Sequence, residues 1–441
     1  MLLSKKLTFR FVEDNDPHKA IKVGIWLYIF LLIFEGALRK WLLPSLATPL
    51  LIIRDPLAIW LIFKAVSQRS FNPGKYWTIF ILLGIISFFS ALIFGHASMV
   101  VALYGARILF IHLPVIFIIG NYFNRTDTLK VGYVLLILLI PMVLLSILQF
   151  YSPQTHIVNK GVGGDLEGAG FGGALGFYRP PGTFSFINGL TCFYGITSSF
   201  LFYFLFTKTP ISKWLLYGAL LATILSIPFS ISRTVLFQNV LCLVFTIPMI
   251  LSDPRLVNKL IPAGFLILVL GFASSSQFVQ TGLKVFTARF ESASESEGGL
   301  KGTLIDRVFG TMYSAVASSI DQSLFGKGIG AETNVGIRVL ELPEDYRMSD
   351  FEWSRHIDEL GVVLGLILIG SRVTLSYKLI TIAIKKLRYE KDYLPWMLLS
   401  FAFLQILKSQ LSQPSQVGFI VISTGLVIAS MKRKKRNVSY S

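Results

Sequence analysis

The stretch "LKVGYVLLILLIPMVLLSILQF", residues 129–150, carries its single charge, Lys130, at one margin and is otherwise almost wholly apolar. A run of that length matches the roughly 17–25 residues an α-helix needs to cross a bilayer. Runs of the same kind recur on both sides of it, near 22–42, 47–66, 76–95, 98–120, 184–207, 212–229, 233–251, 257–274, 358–378, 393–409 and 414–431. Pro228 interrupts the short pair at 212–251, so that pair could count as one span or two. The whole chain agrees with this reading: 53% of its 441 residues are hydrophobic and 15% are charged, against about 25% charged in soluble domains. The fold expected is all-α, a polytopic membrane bundle of about twelve transmembrane helices with a large periplasmic loop. Its parts are an N-terminal membrane region over 1–276, the large loop over 277–357, and C-terminal helices with a basic tail over 358–441.

The opening "MLLSKKLTFRFVEDNDPHK" has no apolar core, so the first membrane helix is expected to act as an uncleaved anchor. Cys192 and Cys242 lie inside apolar runs and read as small core residues. The net charge of +17 would suggest nucleic acid for a soluble protein; here it reads as cytoplasmic anchoring of loops, with no nucleic-acid partner. With the N-terminus inside, Lys64, Arg69, Lys75, Arg125, Lys130, Lys208, Lys213, Arg255, Lys259, Lys385, Lys386, Arg388, Lys391 and the tail "KRKKR" at 432–436 all fall on the cytoplasmic side. Both termini are then cytoplasmic. The outer side holds two long connections, the glycine-rich 151–183 and the loop 277–357, which contains nearly half of the chain's 24 acidic residues. Connections that long are unusual and often functional. Short helices are expected in 303–320 and 350–358.

"YRPPGTFSFINGLTCFYG", 178–195, sets a cation and a rigid backbone at the mouth of an apolar segment. Pro180 and Pro181 fix the chain, Gly182 permits a turn, and Thr183 or Ser185 could cap the helix that follows. Arg179 beside an outward-facing helix N-terminus makes an anion site; the alternative is an arginine that snorkels to headgroups. Other cations crowd the outer half of the membrane. Arg107 sits near the middle of its span, where an arginine costs roughly 2.5–3.5 kcal/mol and usually faces a cavity or partner. Arg54 adjoins Asp55, Arg233 opens a span, Arg39 and Lys40 close the first one, and Lys408 closes another. Glu35 and Arg39 are spaced to pair on one helix face. A shared anionic ligand accounts for this crowding better than independent accidents do, while Arg372 and Lys378 read as ordinary residues toward the cytoplasmic end.

In "DFEWSRHIDELGVVLGL", 350–366, helical spacing puts Glu352, Arg355, His356 and Glu359 on one face. They read either as a solvated helix end with local ion pairs or as a general base poised over the membrane surface. "GKGIG", 326–330, lacks the strand–loop–helix context of a nucleotide site. The five histidines show no metal-ligand spacing, and no metal or other cofactor is expected.

Several of these segments together resemble the bacterial O-antigen ligases and polymerases. "YRPPGTFSFINGL" resembles that family's Arg-x-x-Gly-Thr-Phe-x-x-x-Asn segment, which takes in Gly182 and Asn188. "FSISRT" resembles its Ser-Arg at the next outer-facing helix. "LFGKGIGAET" followed by "DELGVVLGL" resembles its large outer loop, and "EGALRKWLLP" resembles the polysaccharide-polymerase branch. The resemblance runs from 23 to 430. It implies an inverting, metal-independent glycosyltransferase in the bacterial inner membrane. The donor would be a glycan on polyprenyl pyrophosphate, the acceptor a glycan or lipid, and a chain-length regulator is a partner left open. Arg179 and Arg233 match the arginines that grip the pyrophosphate, with Arg107 a further candidate. The base is one of Glu352, Asp350 and His356, with Arg355 and Glu359 supporting. Ligases carry a His-Asn pair where this chain has Asp350, which favours a polymerase over a ligase. A transporter or flippase for a lipid-linked sugar is the reading from another class; the acidic outer loop and the lack of pseudo-symmetric halves weigh against it.

Overall fold

The computed structural model describes residues 11–13, 15–209, 211–260, 264, 276–297, 310–317, 323–343 and 351–432. Among them, eight helices are long and apolar enough to cross a membrane. In chain order the helices are α1 (Lys19–Ala37, prolonged by a wide turn at Leu38–Leu42), α2 (Pro44–Val66), α3 (Lys75–Ile93), α4 (Met99–Tyr122), α5 (Arg125–Tyr151), α6 (Ile187–Phe206), α7 (Lys213–Phe229) and α8 (Arg233–Ser252). They continue as α9 (Gln277–Glu297), α10 (Thr311–Ala317), α11 (Asn334–Val339), α12 (Glu352–Lys385), α13 (Tyr393–Lys408) and α14 (Pro414–Ser430). Three of the apolar helices, α7, α13 and α14, are shorter than a full span. The run at 212–251 resolves into two helices separated at Ser230–Ser232, with Pro228 in the last turn of α7. Most of the span expected at 257–274 lies outside the described residues, as do 303–309 and 318–320 of the stretch expected to be helical.

The helices alternate between two ends of the bundle. At one end Lys22 of α1 bonds Asp127 at 2.8 Å, Arg125 holds Asp392 at 2.5 Å, and Ser252 meets Tyr393 at 3.1 Å. Asp127 also closes a reciprocal cap with Asn124 that starts α5, because the first amides of a helix need acceptors from outside it. The opposite end gathers the close of α1, the starts of α2 and α6, the segments 323–343 and 351–361, and the 409–413 turn. Core helix α6 is the most enclosed of the spanning helices, with 89% of its apolar window buried. Packing there depends on small residues: a Cβ at Gly120 would fall 2.7 Å from Ile428, and one at Gly425 would fall 2.6 Å from Ile119, so α4 and α14 interlock reciprocally. Outward faces stay apolar, as at Phe63 and Ile93, which are 72% and 68% exposed.

The 179–186 segment is docked on α1 and buried from Pro180 to Phe184. Gly36 permits the contact: a Cβ there would lie 2.3 Å from Ser185 N, 2.4 Å from Phe184 C and 2.5 Å from Thr183 O. Thr183 Oγ1 donates to the Ile33 carbonyl at 2.7 Å, and Ser185 Oγ accepts from Arg39 at 3.0 Å. Contrary to the expectation from the sequence, neither side chain caps α6: both are taken up by α1, and α6 starts after Phe186 without a side-chain cap. Gly36→Ala is expected to push this segment off α1, lowering stability by about 1–3 kcal/mol, the usual cost of overpacking. Thermal unfolding of the purified protein in detergent checks it; an unchanged midpoint contradicts the docking.

Candidate functional site

Arg179 follows a short antiparallel hairpin, β1 (Gly172–Ala174) with β2 (Phe177–Tyr178), and its N–H donates to the Phe171 carbonyl at 2.8 Å. After it the backbone is locked. Gly182 takes φ +60, its N–H donates to Gln149 Oε1 at 2.8 Å, and its carbonyl accepts from Lys40 Nζ at 2.6 Å. Lys40 is 1% exposed and serves this contact, not an open ligand site. Arg233 opens α8, and Arg289 lies on α9. Burial, then the like charges of Arg289 and Arg233, push the Arg179 guanidinium down to about 10. It is still protonated at neutral pH. Arg179 Nε is shielded from solvent and has no hydrogen-bond partner among the described residues. The structure thus draws Arg179 and Arg233 together and adds Arg289, which was not expected. Asn188 does not face them through any recorded bond; its Nδ2 donates to Gln413 Oε1 at 2.7 Å.

The 352–359 residues make a second group. Gly361 interrupts α12 with φ 78 and ψ 172, a backbone state essentially confined to glycine. A continuous helix would set Glu352 and Arg372 about 30 Å apart. Instead Glu352 Oε1 lies 3.5 Å from Arg372 Nη1, so the 352–360 limb folds back along 362–372. Gly365 admits it, since a Cβ there would sit 2.9 Å from the His356 carbonyl. The carbonyls freed at the break are used by the 323–330 segment: the Lys327 N–H donates to Asp358 O and the Gly328 N–H to Glu359 O, at 2.7 and 2.9 Å. "GKGIG" is therefore a packing element. Gly330 itself is close against Gly105 of α4.

This fold-back corrects the expectation of a solvated helix end. Glu352, Arg355, His356, Glu359 and Arg372 are each 5% exposed or less. Glu352 Oε1 accepts from Arg355 at 3.0 Å and from the Leu411 N–H at 2.7 Å. Arg372 also corrects its bland reading: it bonds His356 Nε2 at 2.6 Å and donates to the carbonyls of Ile406 and Ser409 at 2.6 and 2.8 Å. A guanidinium has no lone pair to offer, so His356 Nε2 is the acceptor and cannot also take up a proton. Glu359 Oε1 accepts the Glu332 N–H at 2.8 Å. Glu352 Oε2 and Arg355 Nε are buried without a partner among the described residues. Asp350 lies outside the described residues.

Arg107 belongs to a third group. It bonds Asp55 at 2.5 Å, His112 bonds the same carboxylate at 2.8 Å, and Arg54 reaches Glu35 at 3.3 Å and the Pro414 carbonyl at 2.7 Å. Glu35 also pairs with Arg39 at 3.5 Å. Here every cation has a protein partner, so Arg107 is satisfied by Asp55 and not held open for an anion. One cleft lies beside this network and another beside Arg355, His356 and Glu359; Ile108 and Leu411 line both. Arg179 and Arg233 line neither of these two clefts. Among the described residues no group of His, Cys, Asp and Glu could hold a metal ion.

The missed residues left uneven traces. The glycines at 361 and 365 are the signal for the fold-back that recruits Arg372. Arg289 stands on an amphipathic stretch in a long loop, with no local cue to what it faces. No family model, curated protein or solved structure matches the chain.

Removing Glu352 strands two buried guanidinium groups. Glu352→Ala is expected to destabilise by about 3–5 kcal/mol, the range for breaking one side of a buried pair. Pairing it with Arg372→Met should recover part of the loss. Equal unfolding midpoints for wild type and Glu352→Ala would show that the carboxylate does not hold those charges.

Proposed function

We propose that this membrane protein is a glycosyltransferase that polymerises glycan repeat units carried on polyprenyl pyrophosphate. The observation that carries the reading is the gathering of Arg179, Arg233 and Arg289, with Arg179 Nε shielded and without a partner. Like charges brought together in a partly dry setting repel, and a diphosphate offsets that repulsion while accepting several hydrogen bonds. The neighbouring apolar faces suit a polyprenyl tail. The cation-rich connections at the opposite end of the bundle suit the cytoplasmic side, which leaves the arginine group facing the periplasm. The motif resemblance described above points the same way.

In this reaction an acceptor sugar hydroxyl attacks the anomeric carbon of the donor glycan. The bond from that carbon to the phosphate oxygen breaks with inversion, and the lipid pyrophosphate departs with the electron pair. The acceptor proton passes to a carboxylate. Among the described residues Glu352 is taken as the base, because Oε1 is engaged by Arg355 and the Leu411 N–H while Oε2 has no hydrogen-bond partner. The arginines stabilise charge that grows on the leaving group, often the largest catalytic contribution.

Arg179→Ala is expected to abolish polymer in cells while the protein still inserts, read by polysaccharide gels and membrane immunoblots. Normal chain length in that variant refutes the role. In a deletion strain, single repeat units on the carrier lipid indicate a lost polymerase; long unattached chains indicate a lost ligase.

A further inference from the structure

We infer that the 409–413 turn with its flanking amide side chains is a sugar-recognition element, which sets which glycan this protein accepts. The inference rests on the glycosyltransferase reading and adds the part that reads the sugar.

Helix α13 has 16 residues and α14 has 17, about 24–26 Å each at 1.5 Å per residue, less than a bilayer's roughly 30 Å core. Helices this short would set the polar connection between them, "SQLSQP", back from the bilayer surface. It is also fixed in place from both sides. Arg372 donates to the Ser409 carbonyl at 2.8 Å, Arg54 donates to the Pro414 carbonyl at 2.7 Å, and the Leu411 N–H is held by Glu352. Two buried arginines from separate charge groups thus anchor one short turn. A loop held this firmly can present side chains with the fixed geometry that selective binding requires.

The side chains it presents are amides. Gln413 Oε1 accepts from Asn188 at 2.7 Å and from Gln416 at 2.9 Å, and Gln413 Nε2 donates to Gln410 at 2.5 Å. Gln405 stands one turn below and accepts from Ser409. Asn188, Gln405, Gln410, Gln413 and Gln416 are half-buried, not sealed in the core. Each amide offers two donors and two acceptor lone pairs, and these bonds use only part of that capacity. The turn itself brings no carboxylate and no cation of its own between Ser409 and Gln416. It therefore favours a neutral ligand rich in hydroxyls over a phosphate, which the arginine group suits better. Leu411 lines both clefts, so the turn borders the Glu352 group directly. A sugar held there would bring a hydroxyl toward Glu352. Sites that hydrogen-bond hydroxyls also discriminate strongly, because a wrong sugar leaves buried polar groups unpaired.

The experiment uses the full-length protein in detergent and two probes. One is farnesyl pyrophosphate. The other is the oligosaccharide released by mild acid from the carrier-lipid pool of the deletion strain. Hydrogen exchange of the wild type should slow at 405–416 with the oligosaccharide and at 176–190 with farnesyl pyrophosphate. The double variant Gln410→Ala, Gln413→Ala should lose oligosaccharide affinity at least tenfold and keep farnesyl pyrophosphate affinity within twofold. If the oligosaccharide protects no residue of 405–416 while farnesyl pyrophosphate binds, the sugar inference is overturned and the glycosyltransferase reading stands. If the double variant binds the oligosaccharide as the wild type does, the inference is likewise overturned. A deletion strain with no carrier-lipid pool, or a protein that binds neither probe, overturns both. The exchange measurement needs no variant, so a misfolded double variant does not shelter the inference.

Discussion

Arg372 donates to the carbonyls of Ile406 and Ser409, to His356 and to Glu352, and this one buried guanidinium joins three chain segments that are far apart in sequence. The arrangement at that end of the bundle depends on it. Its reach to Glu352 exists only because Gly361 breaks α12, and Gly361 is tolerated only because the 323–330 segment takes up the amide and carbonyl groups left by the break. Breaking a helix in a low-dielectric interior leaves orphan polar groups that cost several kcal/mol each unless paired. The chain pairs them with irregular backbone held between helices, the one setting in which such backbone is stable at membrane depth.

Three sets of charge, two buried and one half-buried, then differ in their partners. Around Asp55 and Glu35, arginines, a histidine and carboxylates neutralise one another, so that network reads as architecture. Around Glu352 the balance is close, with one carboxylate oxygen and one guanidinium nitrogen left over. Around Arg179, burial together with the like charges of Arg289 and Arg233 lowers its proton affinity, and its Nε has no hydrogen-bond partner among the described residues. That difference supports the proposal of an anion at Arg179 and chemistry near Glu352, not at Arg107. The same contrast explains why the neutral amides of the 409–413 turn suit a sugar.

Much of the architecture was legible in the sequence because lipid imposes a simple rule on apolar length, and the span boundaries from 22 to 251 fall within a few residues of the helices. The pairing of Glu35 with Arg39 was legible for a similar reason, being local. The site was less so. Arg179 and Arg233 stood out as cations on the wrong side for topology, but Arg289 and Arg372 did not, because what matters for them is three-dimensional proximity over long separations. Helical spacing correctly grouped Glu352, Arg355 and His356, yet gave the wrong environment. Of the two readings it left open, the solvated helix end fails because the chain folds back at Gly361 and buries those side chains. The caps expected from Thr183 and Ser185 failed because α1 offers them stronger partners.

The most direct measurement is an electron cryo-microscopy map of the protein in lipid with polyprenyl pyrophosphate bound. The account predicts diphosphate density contacting Arg179 and lying between Arg233 and Arg289, with the prenyl chain leaving along an apolar face. Density held elsewhere, with the guanidinium groups of Arg179 and Arg289 turned onto protein carboxylates, would contradict it.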